Sequence, residues 1–225
     1  DLNSLYPHLI MQYNMSPDTY QRKIFQQEIN VKKLLEGEVD TSMLTNTTVT
    51  PNGALFRTDR QGFLPELLEE LYDQRVLFKR KMIQSQQELE NTPKDNIKKR
   101  KELEYDIVKN NNNQMVRKIS LNSCYGALGN QYFRYFNREI AEGITTAGQL
   151  SIKWIEKAVN SYLNKLLETD TDYVVAIDTD SIYVTFEDLV DRVNPKNPVD
   201  FLDTIAKEKL EPYMKEAYEE LASYM

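Results

Sequence analysis

From Phe63 the sequence carries an apolar pattern of helical period, with Leu64, Leu67, Leu68, Leu71 and Leu77 on one face, that continues to about residue 90. The break Asn91-Thr92-Pro93 interrupts it. A second long helix is expected to start at Pro93 or Lys94 and run to about Tyr125, where Gly126 would stop it. Helices of about 28 and about 32 residues are each roughly 40 Å long. Two such neighbours joined by a few residues fold back as an antiparallel hairpin that stands off the rest of the chain. Any architecture for these 225 residues has to be built around that arm.

The flanks read as a mixed body. Residues 4 to 14 suit a short helix, with Ser4 as N-cap, Pro7 in the first turn, and Leu5, Leu9, Ile10 and Tyr13 spaced for one face. Residues 15 to 45 are polar and give no clear pattern. A hairpin is expected over Thr48 to Arg57 around Pro51, Asn52 and Gly53. A third long helix spans 137 to 167, with Ile140, Ile144, Leu150, Trp154, Ile155, Val159, Leu163 and Leu166 on its buried side. A second hairpin covers Tyr173 to Phe186, and a last helix runs from about Val199 to Leu221, kinked at Pro212. The fold class is therefore α+β, a body interrupted by a helical hairpin.

Charge is unevenly placed along the chain. The net charge is −7, yet residues 75 to 118 hold 12 basic and 6 acidic residues, a local balance of +6 against −13 for the remainder. An acidic body with a basic arm is a polarised molecule. A solvated helix surface accounts equally well for the run Lys98 to Lys101 taken alone. One cysteine, Cys124, leaves no internal disulfide and fits a reducing compartment. With His8 the one histidine, a zinc site of the usual nitrogen and sulfur type has no ligands. A metal here would be held by oxygen, which favours magnesium, manganese or calcium. No apolar stretch of about 18 residues offers a membrane span, and no signal peptide is visible.

The second hairpin carries DTDS at Asp178 to Ser181, between the apolar runs VVAI and IYVTF. Its tip would present Asp178 and Asp180 outward, as a site for divalent cations or simply as a well-formed turn. On the arm, Arg75 and Lys79 are four apart, as are Lys118 and Asn122, with Tyr125 three further on, so each set shares one helical face. Antiparallel packing would let the two faces meet one ligand. Cations and an amide converging in this way suit a triphosphate; scattered surface charge is the bland alternative.

Three stretches in order carry a family resemblance. DLNSLYPHLI resembles the first polymerase motif of family B DNA polymerases, KISLNSCYG their second and DTDS their third, and GFLPELLEELYDQR resembles their entry into the fingers helix. Further segments, among them SPDTY, PNGALF, GALGNQYFRY and ITTAGQ, are similar to the replicative polymerases of T-even-like tailed bacteriophages. The resemblance implies a palm over residues 1–62 and 127–225, containing an antiparallel sheet and packed helices, with a fingers hairpin over 63–126. Nothing resembles the proofreading exonuclease or the thumb. A chain opening at Asp1, inside a motif, is expected to be a fragment of something longer, and its free α-amino group would place positive charge where a cation should bind. The isolated chain is accordingly expected to be feeble or inactive.

By the same resemblance, Asp1 and Asp180 would bind two Mg2+ ions, or Mn2+ in their place, with the Leu2 carbonyl as a further ligand and Asp178 nearby. Two unpaired carboxylates about 4 Å apart repel by about 4 kcal/mol at an effective dielectric near 20, and cations relieve that cost. Arg75, Lys79 and Lys118 would hold the β- and γ-phosphates of a dNTP, with help from backbone amides at Ser4 and Leu5, and Lys118 would protonate the pyrophosphate. Asn122, Tyr125 and Gly126 would line the nascent base pair, Tyr6 would stack under the deoxyribose and exclude a 2′-hydroxyl, and Thr179 would lie near the primer terminus. The implied reaction is template-directed DNA synthesis on a primer-template, in the cytoplasm of an infected bacterium, with further polymerase domains or a sliding clamp as partners and no membrane. A noncatalytic nucleotide- or DNA-binding fragment and a split polymerase needing partner chains are the competing readings. The sequence departs from the family at Ala176 and Ile177, where Tyr and Gly are usual, and at His8, where Ser is more usual.

Overall fold

The computed structural model describes residues 4–25 and 27–225. The arm consists of α3 (Phe63–Asn91) and α4 (Ile97–Leu128), and the body holds α1 (Leu5–Gln12), β1 (Tyr20–Ile24), α2 (Val31–Leu35), β2 (Thr47–Val49), β3 (Ala54–Arg57), α5 (Arg138–Leu167), β4 (Val174–Asp178), β5 (Ser181–Val184), α6 (Glu187–Val193), α7 (Pro198–Ile205) and α8 (Glu211–Tyr224). Mixed helix and small antiparallel sheets make this an α+β protein. The 48–57 hairpin forms as expected, with Thr48 opposite Phe56, and β1, from the stretch without a clear pattern, joins on the far side to give the order β1-β3-β2.

Helix α5 is the spine of the body. Asn137 caps it by accepting from the Ile140 N–H at 3.0 Å. Ile140, Ile144, Ala147 and Leu150 in its first half pack with α1, the three-stranded sheet and the base of the arm. Its second half, Ile155, Val159, Leu163 and Leu167, packs with β4, α6 and α8. Trp154 and Tyr218 touch both clusters, so the two cores are continuous. Each fully buried aliphatic side chain contributes about 1.5–3 kcal/mol. Leu166, expected inside, is 44% exposed while Leu167 is buried; the stripe drifts round the helix by its last turn.

The arm differs from expectation at both ends of α4. Asn96, whose side chain accepts from the Lys99 N–H at 3.3 Å, starts the helix later than Pro93 or Lys94. Gly126 does not end it; α4 continues to Leu128, which is fully buried, and stops at Gly129. An interior glycine costs about 1 kcal/mol relative to alanine, less than burying Leu128 returns. At the tip, Lys99 pairs with Glu88 at 2.9 Å and Arg100 donates to the Leu89 and Thr92 carbonyls. Halfway down, Arg117 donates to Gln74 at 3.1 Å and lies over the Phe78 ring. Leu64, Leu68, Leu121 and Leu128 anchor the base in the main core.

The base is also pinned by polar contacts. Buried Asn14 donates to the carbonyls of Arg57 and Arg60 at 2.7 and 2.8 Å and accepts from the Gly62 N–H at 2.8 Å, immediately before α3. Gly62 is required there because a Cβ would come within 2.6 Å of the Ser16 Cβ. The last helix is also not the single kinked rod expected. A π-helical turn, Ala206–Leu210, separates α7 from α8, and Pro212 sits in the first turn of α8. Proline has no N–H and its ring would strike the carbonyl four residues back, so the wider turn absorbs the misfit. Helix α6 carries no signal that the sequence reading recognised.

Candidate active site

Four elements converge on a cavity of about 400 Å³ between arm and body, lined by Ser4, Leu5, Tyr6, Pro7, Arg75, Lys118, Asn122, Thr179 and Asp180. The N-terminus of α1 supplies its floor. Ser4 has a left-handed backbone, φ 56°, and its hydroxyl makes no cap to the helix. Ser4 thus stands at the N-cap position, as expected, but its hydroxyl accepts from Arg75 Nη1 at 3.0 Å in place of a cap bond. The first amides of α1 have no intrahelical carbonyl to bond and so face outward as donors, an arrangement suited to anions.

From the arm come Arg75 on α3 and Lys118 and Asn122 on α4. The Gln74–Arg117 bond lies one residue before each cation and fixes the register that brings them to the same opening. Arg75 Nε is buried and has no partner among the described residues. A guanidinium left one bond short is a donor waiting for an acceptor. Lys79, one turn further along α3, is exposed and does not line the cavity.

The third wall is the tip of β4–β5. Asp178 pairs with Ser181, so Thr179 and Asp180 form a two-residue turn. Thr179 has φ 45°, a conformation that a β-branched residue adopts only under strain of about 1–3 kcal/mol. The strained turn sends Asp180 into the cavity, while Asp178 is exposed at the strand end and accepts from the Thr179 hydroxyl at 3.2 Å. Ala176 and Ile177 are exposed on β4.

Tyr6 is held between two helices. Its ring lies 4.9 Å from that of Tyr125 on α4. Burial first, then Tyr125 and the carboxylate of Asp180, push its phenol above the ordinary tyrosine value, so it stays neutral near pH 7. Tyr125 and Gly126 do not line the cavity themselves. Cys124, beside Tyr125, is pushed up to about 11 by burial and is no nucleophile at neutral pH. His8 donates through Nδ1–H to the Ser4 carbonyl at 2.9 Å and stacks edge-on against Tyr72, which gives it a structural role under the Ser4 turn.

Eight positions singled out from the sequence meet in one place: Ser4, Leu5, Tyr6, Arg75, Lys118, Asn122, Thr179 and Asp180. The sequence reading missed the Ser4–Arg75 bond and Pro7, because neither has a signature in spacing alone. Asp1 and Leu2 lie outside the described residues. Among the described residues no three His, Cys, Asp or Glu side chains cluster as a metal site. Asp180 and the neighbouring Asp178 are hard oxygen donors of the kind that hold Mg2+ through one or two carboxylates and leave the remaining positions to water and phosphate; the donor set fits. A larger cavity of about 530 Å³ between α1 and α8 has no lysine or arginine in its lining and offers nothing to a polyanion.

Comparison with known proteins points the same way. The sequence model for "DNA polymerase family B" matches residues 1–194. The DNA-directed DNA polymerases of Enterobacteria phage T4 and Escherichia phage RB69 are each 31% identical to the whole of this chain, which covers 29% of their length. A DNA polymerase from Pyrococcus glycovorans is 31% identical over 91% of the chain and 21% of its own length. Among solved structures, the family B DNA polymerase from the hyperthermophilic archaeon Pyrobaculum calidifontis superposes with a TM-score of 0.52 at 25% identity, over 93% of this chain and 21% of that one. The chain spans less than a third of the curated relatives it matches. No helix among the described residues is long and apolar enough to cross a membrane.

Proposed function

This chain belongs to DNA polymerase family B, and on that footing we propose that its cavity is the nucleotidyl-transfer centre of a DNA-directed DNA polymerase. The observation that carries the reading is the meeting of Arg75 and Lys118 from the arm, Asp180 from the β4–β5 turn and the N-terminus of α1 around one opening. Residues 1–62 and 127–225 serve as palm and the helical arm as fingers. The substrates are a dNTP and a primer-template, and the setting is the cytoplasm of an infected bacterium. Further polymerase domains or a sliding clamp are the protein partners this reading implies.

Each residue has a role that its position allows. Arg75 binds the β- and γ-phosphates through its free N–H groups, Lys118 adds a point charge, and the backbone amides at Ser4 and Leu5 complete the cradle. Lys79, exposed one turn further along α3 and outside the lining, adds a more distant positive charge. Tyr6 lies under the sugar, Asn122, Tyr125 and Gly126 border the nascent base pair, and Thr179 approaches the primer terminus. Asp180, with Asp1 and the Leu2 carbonyl, would hold two Mg2+ ions, with Asp178 as a nearby carboxylate. When bound, these ions supply charge neutralisation at the reacting phosphate and ease ionisation of the primer 3′-hydroxyl. The 3′-hydroxyl releases its proton to solvent, its oxygen bonds to the α-phosphorus as the bond to pyrophosphate breaks, and Lys118 gives a proton to the departing pyrophosphate. Positioning and electrostatics do the rest.

Primer extension on a primed template with magnesium and four dNTPs, run beside Asp180→Ala, tests the reading. Templated extension that disappears in the variant is the expected result for a self-sufficient core. A folded chain that neither extends nor binds dNTP contradicts the reading; binding without extension that is restored by adding the remaining polymerase domains points to a split enzyme, and binding that they do not convert to extension leaves a noncatalytic binding fragment.

A further inference from the structure

Gly148 occupies the interior of α5, where glycine is about 1 kcal/mol worse than alanine, so its presence there needs a cause. Its φ lies outside the left-handed region, and backbone freedom is not the cause. A Cβ at this position would lie 3.1 Å from Cε1 of Tyr6, 3.7 Å from Leu9 Cδ1 and 3.8 Å from Leu5 Cδ2. The nearest of these is closer than ordinary carbon–carbon contact, which is about 3.5–4.0 Å. The same ring meets that of Tyr125 with 4.9 Å between centroids. Tyr6 is thus seated against bare backbone on α5 and against an aromatic on α4.

We propose that Gly148 is a positioning residue: the missing side chain sets how far the Tyr6 ring withdraws from the cavity, and thereby sets how strictly the site distinguishes a deoxyribose from a ribose. The inference rests on the sugar-contacting role given to Tyr6 above. An added methyl displaces the ring by a few tenths of an ångström away from α5, which alters how far it reaches into the cavity it lines. A hydroxyl on C2′ then meets the ring sooner than a hydrogen does. One methylene more or less in a pocket is worth roughly 10- to 200-fold in discrimination, so a ring shift of a few tenths of an ångström is expected to change the deoxy-over-ribo preference by about 3- to 10-fold, upward.

The experiment measures the affinities of dATP and ATP, with magnesium, for the chain bound to a template and a primer ending in a dideoxynucleotide. This readout needs no chemistry. Gly148→Ala is expected to raise the dATP-over-ATP ratio, and the rise is expected to vanish in the Tyr6→Ala background, as a double-mutant cycle requires of a residue acting through the ring. Gly143→Ala is the control: its Cβ would crowd Thr50 Oγ1 at 3.2 Å without touching Tyr6, and the ratio is expected to hold. If Gly148→Ala does not fold, the Tyr6→Ala/Gly148→Ala double variant is expected to fold, because the closest contact is gone; failure of both overturns the inference. An unchanged or lowered ratio in folded Gly148→Ala, a shift that persists without the ring, or an equal shift in Gly143→Ala also overturns it. A wild-type chain with no deoxy preference removes the role given to Tyr6 itself, whereas a normal wild-type preference with a silent Gly148→Ala removes this inference alone.

Discussion

Replacing Asn14 by alanine should loosen the joint between arm and body. The side chain spans three backbone groups: the carbonyls of Arg57 and Arg60, at 2.7 and 2.8 Å, and the N–H of Gly62, at 2.8 Å. The Gly62 N–H is buried, and leaving it unpaired costs about 1–3 kcal/mol. Arg57 and Arg60 are exposed residues, so water recovers most of their carbonyl bonding and each loss costs about 0.5 kcal/mol. Asn14 also has φ 55°, where alanine is worse than asparagine by about 1 kcal/mol. The total, about 3 to 5 kcal/mol, corresponds to a fall of roughly 10 °C in unfolding midpoint for a domain of this size. Asn14→Gly removes the same hydrogen bonds and keeps the backbone unstrained, so it should recover about 1 kcal/mol relative to Asn14→Ala. Urea and thermal unfolding followed by far-UV circular dichroism report both numbers. A loss below about 1 kcal/mol for Asn14→Ala would show that the three bonds do not hold the joint, and equal stability of the alanine and glycine variants would refute the backbone part of the argument.

Other expectations follow from the cavity and its neighbours. Tyr6→Ala should raise ribonucleotide incorporation in a primer-extension assay; unchanged sugar discrimination would sink the role given to this ring. Arg75→Met should weaken dNTP binding by about 10- to 100-fold, the worth of a charge-assisted bond, while Lys79→Met, exposed and outside the lining, should cost clearly less in a fluorescence titration; the reverse order would contradict the geometry. Burial pushes the Cys124 thiol up from 9.0 to about 11. Its contribution to stability is complete below pH 9 and lost as pH rises toward 11, because the unfolded thiol ionises first. Unfolding midpoints for the wild type should therefore fall more between about pH 8 and about pH 10.5 than those of Cys124→Ala; parallel curves would rule out a buried, neutral thiol.

The long elements were legible in the sequence because their periodicity is unambiguous over many turns. The arm, α5 and both hairpins could be placed from apolar spacing and turn residues. Their ends were harder to place. Gly126 looks like a stop signal, yet α4 passes through it because Leu128 has a core to enter. Pro212 signals a disturbance, but whether a helix answers with a kink or a π-helical turn depends on packing. Strand β1 and helix α2 hide in a polar stretch, since β1 is specified by the edge of β3 that it pairs with. Arg75, Lys118 and Asn122 were recognisable from helical spacing and Asp180 from its turn. The bond from Arg75 to Ser4 joins residues far apart in sequence, and the seat of Tyr6 on Gly148 is visible only when α1 and α5 are packed together.

A crystal of the chain grown with dATP and Mn2+, examined for anomalous scattering, would locate substrate and cation together. Triphosphate density between Arg75, Lys118 and the N-terminus of α1, with a manganese peak at Asp180, is the result expected of a nucleotidyl-transfer centre between arm and body. Triphosphate bound elsewhere, or manganese without Asp180 among its ligands, would contradict it.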